Sequence, residues 1–435
     1  MSERTPQSSP RPKVAMVLTR TLDGELMAGR LKVIHAIRAN FQNNADLVML
    51  RLPSAITDRS VTRLLSCGWV WLTSLLRGAP LPLQCALFSS PQDIDRLVRS
   101  LPNDLDAVYV DGVRSLAFVE ALRKLRPELR QVVDLDDLMS LRMSLLLGTR
   151  QPLSPGYLTK KLPKPLLRLT MSPALGRLIV RYERATLLRA ERKLAGLADV
   201  LALVAAEDAN KLRQARGLPT RAKIEVVPPP SAPPRPFGPL GAPLRAVFIG
   251  SDSLTQNRLT IDYLIELWRR EKPALPLVFF GLWNRAIDLP PNVETRGYVE
   301  DLDDVYDGHS ILITPSRIGG GIKTKVLEGF ARAAPVVGNA LTFESMNLAD
   351  YPLLMNDEAE LVALLRAPEK ARDRFEAGRA LGARYLRQHH DPETFNRRWM
   401  ELMTGAPSVA KTPTTDGHAA DGPAVYAMSR SERRP

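Results

Sequence analysis

The stretch ILITPSRIGGGIKTKVLEGFARAAPVV, residues 311–337, contains a strand, a glycine loop and a helix in direct succession. The apolar run at its start predicts a strand that ends at Pro315 and Ser316. Three glycines, Gly319 to Gly321, then predict a loop, and a helix is expected from near Ile322 to Arg332. This order of elements is the repeating unit of a parallel α/β sheet.

The same alternation of short apolar runs and longer helical patterns continues on both sides of this stretch. Strands separated by helices imply right-handed parallel crossovers. The sequence therefore predicts an α/β protein with two doubly wound, Rossmann-like sheets that face each other across a cleft. The candidate strands are residues 14–20, 47–52, 107–112, 131–137, 199–206 and 223–229 in the first half, and 245–250, 276–281, 293–299, 311–316, 335–340 and 352–357 in the second.

Composition sets the division of the chain. Eight prolines between Pro228 and Pro243 predict a stiff linker between the halves. The first dozen residues are polar, and no Leu, Ile, Phe or Trp follows Thr404, so neither end is expected to build a core. The predicted division is a disordered N-terminus (1–12), an N-terminal domain (13–230), the linker (231–243), a C-terminal domain (244–385), a terminal helix (386–403) and a disordered tail (404–435).

The overall composition excludes several classes of protein. With 435 residues, 45% apolar and 25% charged, the chain is neither fully disordered nor collagen-like. The longest uncharged apolar run, 64–76, is too short to cross about 30 Å of hydrocarbon. The first residues have no apolar core of a secretory signal. Two cysteines, Cys67 and Cys85, cannot form a disulfide framework or a zinc cage, so a cytoplasmic location is expected.

The charge is strongly positive and uneven. Sixty basic and 47 acidic residues give +13, and the segment from Arg142 to Lys193 contributes twelve Lys/Arg against two Glu, a net of +10. Such a segment attracts polyanions, although a solvated helix face is the plainer explanation. Because aromatic residues are not interleaved with these cations, nucleic acid is not expected as a partner. An anionic membrane surface is the partner we predict.

Residues 319–328 carry the chemistry of the central stretch. A glycine loop that enters a helix presents free N–H groups to an anion. Lys323 and Lys325 fall in the first helical turn, where cations oppose the helix dipole unless an anion is bound. Glu328, an acceptor-only carboxylate, suits two ribose hydroxyls. The combination predicts a nucleotide-sugar site, and the alternative is two solvated lysines with Lys325 paired to Glu328.

These residues resemble a known signature. The pattern P-x-R-x-G-x-G-x-K-x-K-x-x-E-x-x-A-x-x-x-P-V-V, from Pro315 to Val337, is similar to the donor-binding signature of the GT-B glycosyltransferases of the retaining group 1 family (glycosyltransferase family four), found in many bacterial polysaccharide and lipopolysaccharide transferases. Residues 247–268 and 293–316 resemble further segments of its C-terminal domain. Residues 182–212 and 223–230 resemble the end of its N-terminal domain more loosely.

The resemblance implies a division of roles. The C-terminal domain would bind a nucleotide diphosphate sugar, the N-terminal domain a glycan or lipid-linked acceptor, and the last helix would brace the N-terminal domain. Lys323 and Arg258 would be catalytic, and no cofactor or metal is expected. The resemblance also implies a role in cell-surface polysaccharide synthesis. The protein would act in the cytoplasm, including at the inner face of the plasma membrane. The implied donor-binding residues are Gly250, Ser251, Gly281, Tyr298, Ser316, Gly319, Gly320, Gly321, Ile322, Lys323, Thr324, Lys325 and Glu328.

The chain departs from the family pattern at three positions. Gly320 stands where many members have the first of two glutamates, and Asn257-Arg258 stands where many have a lysine. Ala334 replaces a usual glycine. Two alternatives to a transferase stay open: a nucleotide-sugar epimerase, which shares this fold, and a protein that binds nucleotide sugars without catalysis, which Gly320 would allow.

On the N-terminal side, acidic and glycine residues follow predicted strands. Gly24 lies in the first loop, and Asp111 and Asp136 end neighbouring strands, so all three are candidates for the acceptor side. The DLDD runs at 134–137 and 301–304 also invite a metal interpretation. For 301–304 we favour capping of a helix start instead.

Overall fold

A computed structural model describes residues 11–22, 29–58, 60–148, 173–283 and 285–405, and two parallel sheets dominate it. The first sheet has the strand order β2-β1-β3-β4-β5-β6, with every neighbouring pair parallel. All six strands predicted for the first half are confirmed. They are β1 (Lys13–Leu18), β2 (Asp46–Arg51), β3 (Ala107–Asp111), β4 (Arg130–Asp136), β5 (Val200–Leu203) and β6 (Lys223–Val226).

Helices cover both faces of this sheet, which is why its central strands are buried along most of their length. All five residues of β3 are buried. One face packs into a core with α4, α5 and α7, and the other packs against α1. The helices of this domain are α1 (Arg30–Asn44), α2 (Val61–Leu76), α3 (Leu83–Ala86), α4 (Pro91–Ser100), α5 (Leu116–Leu125), α6 (Met139–Leu147), α7 (Pro173–Leu197) and α8 (Ala206–Arg213).

The second sheet is also parallel, with the order β11-β10-β7-β8-β9. Its strands are β7 (Arg245–Ile249), β8 (Leu277–Phe280), β9 (Val293–Arg296), β10 (Ser310–Ile313) and β11 (Val336–Val337). Its helices are α9 (Thr255–Glu271), α10 (Thr324–Ala331), α11 (Glu358–Arg366) and α12 (Arg372–His389).

The strand predicted at 352–357 is wrong. This segment makes one isolated parallel bridge, between Leu354 and Gly338, beside a β11 of only two residues. Leu353 and Met355 are buried in the C-terminal core. The apolar run therefore reflects burial, which periodicity alone does not distinguish from strand pairing.

The last helix, α13 (Pro392–Thr404), crosses back to the N-terminal domain. Asp391 caps its start by accepting the Thr394 N–H at 2.8 Å, and Pro392 fits the first helical turn. Its apolar face joins the core of the first sheet, against β1, β3 and α1. The buried side chains on that face are Phe395, Trp399, Leu402 and Met403.

Candidate functional site

The glycine loop leads from β10 into α10. The helix begins at Thr324, two residues later than the sequence predicts, and Lys323 occupies the N-cap position without capping the helix with its side chain. Gly320 and Gly321 have φ angles of 102° and 62°. Residues with a Cβ rarely adopt such left-handed angles, so the glycines set the path of the loop. The free N–H groups of α10 consequently face the end of the loop.

Lys323 is the least compensated charge at this loop. Its Nζ atom is buried, and it donates no hydrogen bond to any part of the chain that the structure describes. Burial lowers the pKa of Lys323, while the nearby carboxylates of Glu344 and Glu207 act in the opposite direction. A buried ammonium without a hydrogen-bond partner is costly, and a bound anion would relieve that cost.

Glu344, which the sequence analysis missed, contacts the same loop. Its Oε2 accepts the Gly320 N–H at 2.5 Å. A Cβ on Gly319 would collide with this carboxylate, so the glycine makes the contact possible. The loop amides thus already hold an anionic group. No signal in the sequence marked Glu344, because it follows β11 by a turn and belongs to none of the motifs.

Lys325 points toward α9 rather than toward Glu328. Its Nζ donates to Asn257 Oδ1 at 3.0 Å and lies 4.1 Å from the centre of the Phe248 ring. The alternative pairing of Lys325 with Glu328 is therefore wrong. Burial lowers the pKa of Lys325 to about 7, and the positive charge of Lys323 adds to that effect. Asn257 stands where the resemblance expects a lysine, and the structure brings Lys325 to that place.

Glu328, one turn after Lys325 on α10, reaches the N-terminal domain. Its carboxylate forms an ion pair with Lys32, in the first turn of α1. Both residues line a cavity of about 240 Å³ between the domains, together with the chain from Pro229 to Ala232. Glu328 is therefore paired with the N-terminal domain, whereas the carboxylates that act on Lys323 are those of Glu344 and Glu207.

Two predicted donor-binding residues, Gly250 and Gly281, are glycines at positions where a side chain has no space. A Cβ on Gly281 would lie 2.5 Å from the Gly250 carbonyl oxygen, and one on Gly250 would lie 2.6 Å from Asn257 Nδ2. These glycines bring the ends of β7 and β8 together at the start of α9. Asn257 Nδ2 also donates to the Ser251 carbonyl oxygen at 3.1 Å, which fixes this turn.

The remaining predicted donor residues lie around the same edge of the sheet. Ser316 is buried, and its N–H donates to Thr342 Oγ1 at 3.1 Å. Ile322 packs against the C-terminal core. Arg258 is half-buried in the first turn of α9, next to Asn257. Tyr298 is exposed after β9.

The N-terminal wall of the cleft contains a buried charge cluster at the ends of β3 and β4. Arg30 pairs with Asp111, Asp134 and Asp136. Burial acts to raise the pKa of Asp111, but the guanidinium groups of Arg20 and Arg30 outweigh it and hold that pKa at about 2.

Two of the predicted acceptor residues, Asp111 and Asp136, belong to this cluster and differ in their exposure. Asp111 is 1% exposed and accepts from Thr19, Arg20 and Arg30, so its carboxylate orders the cluster and does not suit direct contact with an acceptor. The Asp136 side chain is 30% exposed, and its φ of 66° turns the chain out of β4. Gly24 lies outside the described residues.

The two walls approach closely at the glycine loop. A Cβ on Gly321 would lie 3.8 Å from Asp137 Oδ2, and one on Gly320 would lie 3.6 Å from Leu145 Cδ1 of α6. Glu207 of α8 accepts from Ser345, which follows Glu344. The glycine loop and Lys323 are thus enclosed by groups from both domains.

Comparison with known proteins identifies the fold that forms this cleft. Residues 243–366 match the family model of "Glycosyl transferases group 1", while none of the curated proteins matches the chain significantly. A sucrose-phosphate synthase from Thermosynechococcus elongatus has a similar structure, with a TM-score of 0.63, 11% identity and coverage of 90% of this chain and 98% of that one. The chain has the GT-B fold.

Two further solved structures have the same architecture. Anabaena HepE in complex with UDP has a TM-score of 0.57 at 11% identity, covering 90% of this chain and 100% of that one. The trehalose-6-phosphate synthase OtsA has a TM-score of 0.55 at 13% identity, covering 90% and 99%. The prediction of two doubly wound domains is confirmed, and at these identities the likeness establishes the fold alone.

Neither DLDD run forms a metal cage. Asp301 accepts the Asp303 N–H at 2.9 Å and caps the short 3-10 helix Leu302–Asp304, as the capping interpretation predicts. Across the described ranges, no three His, Cys, Asp or Glu side chains are grouped so that they could hold a metal ion. Within the same ranges, no helix is long and apolar enough to cross a membrane.

Proposed function

We propose that the protein is a glycosyltransferase that moves a sugar from a nucleotide diphosphate sugar to an acceptor at the N-terminal domain. The buried Nζ of Lys323 carries this proposal, because it has no hydrogen-bond partner among the described residues and Lys323 follows the glycine loop by two residues. An anion bound there gains the ammonium, the free N–H groups of α10 and the positive end of its dipole. The group 1 match over residues 243–366 supports the same assignment.

Lys323 would contribute most as the sugar leaves. When the bond between the sugar and the diphosphate breaks, negative charge grows on the leaving phosphate oxygen. Preoriented cations and N–H groups in an enclosed site stabilise that charge. Lys323 and the loop amides are fixed by backbone geometry before the donor arrives. Arg258, on the first turn of α9, would add a second cation for the diphosphate.

The loop must exchange one anion for another. Glu344 accepts the Gly320 N–H in this structure, so a diphosphate that uses this amide has to displace the carboxylate. The charge of Glu344 then balances Lys323 only while the donor is absent. Glu344 would thereby keep the loop in shape between turnovers.

The finer identity of the reaction follows from resemblance. Retention of anomeric configuration is proposed from the group 1 signature in residues 315–337. A UDP-sugar is the first donor to test, since HepE has been solved with UDP-glucose. A glycan or lipid-linked acceptor, a role in cell-surface polysaccharide synthesis and work at the inner face of the plasma membrane are proposed on the same ground.

Product analysis with a panel of nucleotide diphosphate sugars tests the proposal. A transferase releases free nucleotide in step with a glycosylated acceptor. Isomerised donor without release would identify an epimerase, and binding without either product would identify a non-catalytic protein. A prior screen of donors by thermal shift selects the panel, because a ligand that binds only the folded state raises Tm.

A further inference from the structure

The outer face of α2 is apolar and unpartnered among the described residues. Five side chains recur at helical spacing along one stripe, and they are 43% to 78% exposed: Val61, Leu65, Trp69, Leu72 and Leu76. Leu64 beside them is also exposed, so six of the fourteen exposed large apolar side chains of the described chain lie on this one helix. A concentration of this kind marks an interaction surface.

The opposite face of α2 is anchored to the domain. Arg63 pairs with Asp93 of α4, and Cys67 is the one buried residue of the helix. Trp71 Nε1 donates to the Tyr182 hydroxyl of α7 at 2.8 Å. These contacts hold α2 in one orientation, so its apolar stripe is a fixed feature of the surface.

Exposed cations lie at the end of α2 and beside its contact with α7. Arg77 follows the last turn of α2 and is exposed, and α2 itself contains no Asp or Glu. Arg181 and Arg184 are exposed on either side of Tyr182, the residue of α7 that contacts α2. Leu178, one turn before Tyr182, is 61% exposed and extends the apolar surface onto α7.

We propose that this α2 face, with Arg77, Arg181 and Arg184, docks the protein on an anionic lipid bilayer. An apolar stripe with a tryptophan inserts at the boundary between headgroups and acyl chains, and the flanking arginines meet the acidic headgroups. The helix, sixteen residues long, lies along the surface and does not cross it. A second copy is a poorer occupant, because a symmetric contact would bring the same arginines together.

The docking proposal rests on the proposed function. It names the face by which a transferase with a lipid-linked acceptor would contact the membrane. Within the predicted basic segment 142–193, residues 149–172 lie outside the described part of the chain. The docking surface rests on α2 and the described part of α7 alone.

Sedimentation of the full chain with vesicles tests the docking. Phosphatidylcholine vesicles containing about 30% phosphatidylglycerol are expected to bind the protein at low salt, and pure phosphatidylcholine vesicles at least tenfold more weakly. Leu65→Glu/Trp69→Glu should reduce binding to the anionic vesicles at least tenfold. Leu125→Glu, at an exposed leucine of α5, is the matched control and should bind like the wild type.

A charge-reversal pair tests the arginines. Arg181→Glu/Arg184→Glu should lower binding to anionic vesicles tenfold or more, whereas Lys370→Glu/Arg387→Glu in the C-terminal domain should not. All variants change exposed residues, and an unchanged Tm will show that they are folded. UDP affinity in solution should be equal in all of them, so a failure of docking is distinguishable from a failure of the donor site.

Four results would overturn the docking proposal. Binding to neither kind of vesicle, or equal binding to both, contradicts an anionic bilayer as the partner. Unchanged binding by Leu65→Glu/Trp69→Glu contradicts the α2 face as the surface. A dimer in solution that these two substitutions dissociate would assign the face to a second copy of the chain.

Discussion

Lys323 is the residue on which the proposed chemistry depends most. Its ammonium is buried at the start of α10 and has no hydrogen-bond partner among the described residues. An interaction that strengthens as charge develops in the transition state lowers kcat when it is removed. Lys323→Ala should therefore reduce kcat by about 100-fold or more, with the oxyanion donors of other enzymes as the guide.

The control is Lys272→Ala, at an exposed lysine that ends α9, which should leave kcat unchanged. Circular dichroism should show both variants folded, because neither removes core volume. If Lys323→Ala turns over like the wild type, the leaving group is stabilised elsewhere.

Glu328 has two competing interpretations, and Lys32 separates them. If Glu328 binds the donor ribose, its contacts exist in ground and transition states alike. Glu328→Gln should then raise the donor KM more than it lowers kcat. Lys32→Met would free the carboxylate and should leave the donor KM equal or lower. Steady-state kinetics of the two variants provides the comparison.

The second interpretation, in which Glu328 only forms the ion pair, predicts different kinetics. If Glu328 only links the domains through Lys32, both substitutions break the same contact. They should then raise the donor KM by the same factor, and the double variant should add nothing further.

Lys325 predicts a pH dependence of stability. Burial lowers its pKa from 10.5 to about 7 in the folded protein. Between these two values the unfolded chain binds more protons than the native state, so this group makes the free energy of unfolding rise with pH. Below a pH of about 7, Lys325 is charged in both states, so the cost of burying its charge lowers the free energy of unfolding by the full amount.

Lys325→Met should remove this contribution. Thermal unfolding from about pH 6 to about pH 9.5 should show the Lys325→Met variant to be more stable than the wild type at the acidic end, with the difference shrinking as pH rises. Parallel curves for the two proteins would show that Lys325 titrates normally.

At the scale of elements, α10 is pressed against its sheet. A Cβ on Gly329 would lie 2.9 Å from Val336 Cγ2 and 3.3 Å from Leu312 Cδ2. Alanine is the better helix former, yet here it has no space. Gly329→Ala should therefore lower stability by about 1–3 kcal/mol, as overpacked cores do.

Gly68 provides the matched control in α2. It is also inside a helix, but a Cβ there meets nothing within 4 Å. Gly68→Ala should raise stability by about 0.5–1 kcal/mol. Chemical denaturation measures both changes. The same sign for both substitutions would contradict the close approach of α10 to β10 and β11.

At the scale of the whole molecule, α13 ties the end of the chain to the N-terminal domain. The Trp399 ring packs edge-on against Tyr109 at 5.4 Å between centroids, and against Phe41 at 6.5 Å. Trp399→Ala should cost about 3–5 kcal/mol of stability. The loss should appear in the unfolding of the N-terminal domain, although Trp399 follows the C-terminal domain in sequence.

Trp399→Phe separates packing from hydrogen bonding. The indole Nε1 is buried and has no hydrogen-bond partner within the described ranges. Phenylalanine keeps most of the ring contacts and removes this N–H, so its cost should be much smaller. Equal losses for both substitutions, measured by calorimetry, would contradict the packing role.

Local pattern was sufficient for much of this molecule. The alternation of apolar runs and helical segments determined two parallel sheets, because buried strands and amphipathic helices leave their period in the sequence. The strand, loop and helix of residues 311–337 followed from adjacent residues for the same reason. The single failure among the strands, residues 352–357, came from a run that is buried without being paired.

Tertiary structure alone decided which side chains meet. Gly320 binds a carboxylate 24 positions away, Lys325 an amide 68 positions away, and Glu328 a lysine 296 positions away. No local pattern encodes such pairs, because they depend on how loops are placed by two separately packed sheets. The exposure of α2 has the same origin: its sequence is that of a buried apolar helix, and only the packing of α4 and α7 against one face shows that the other is left open.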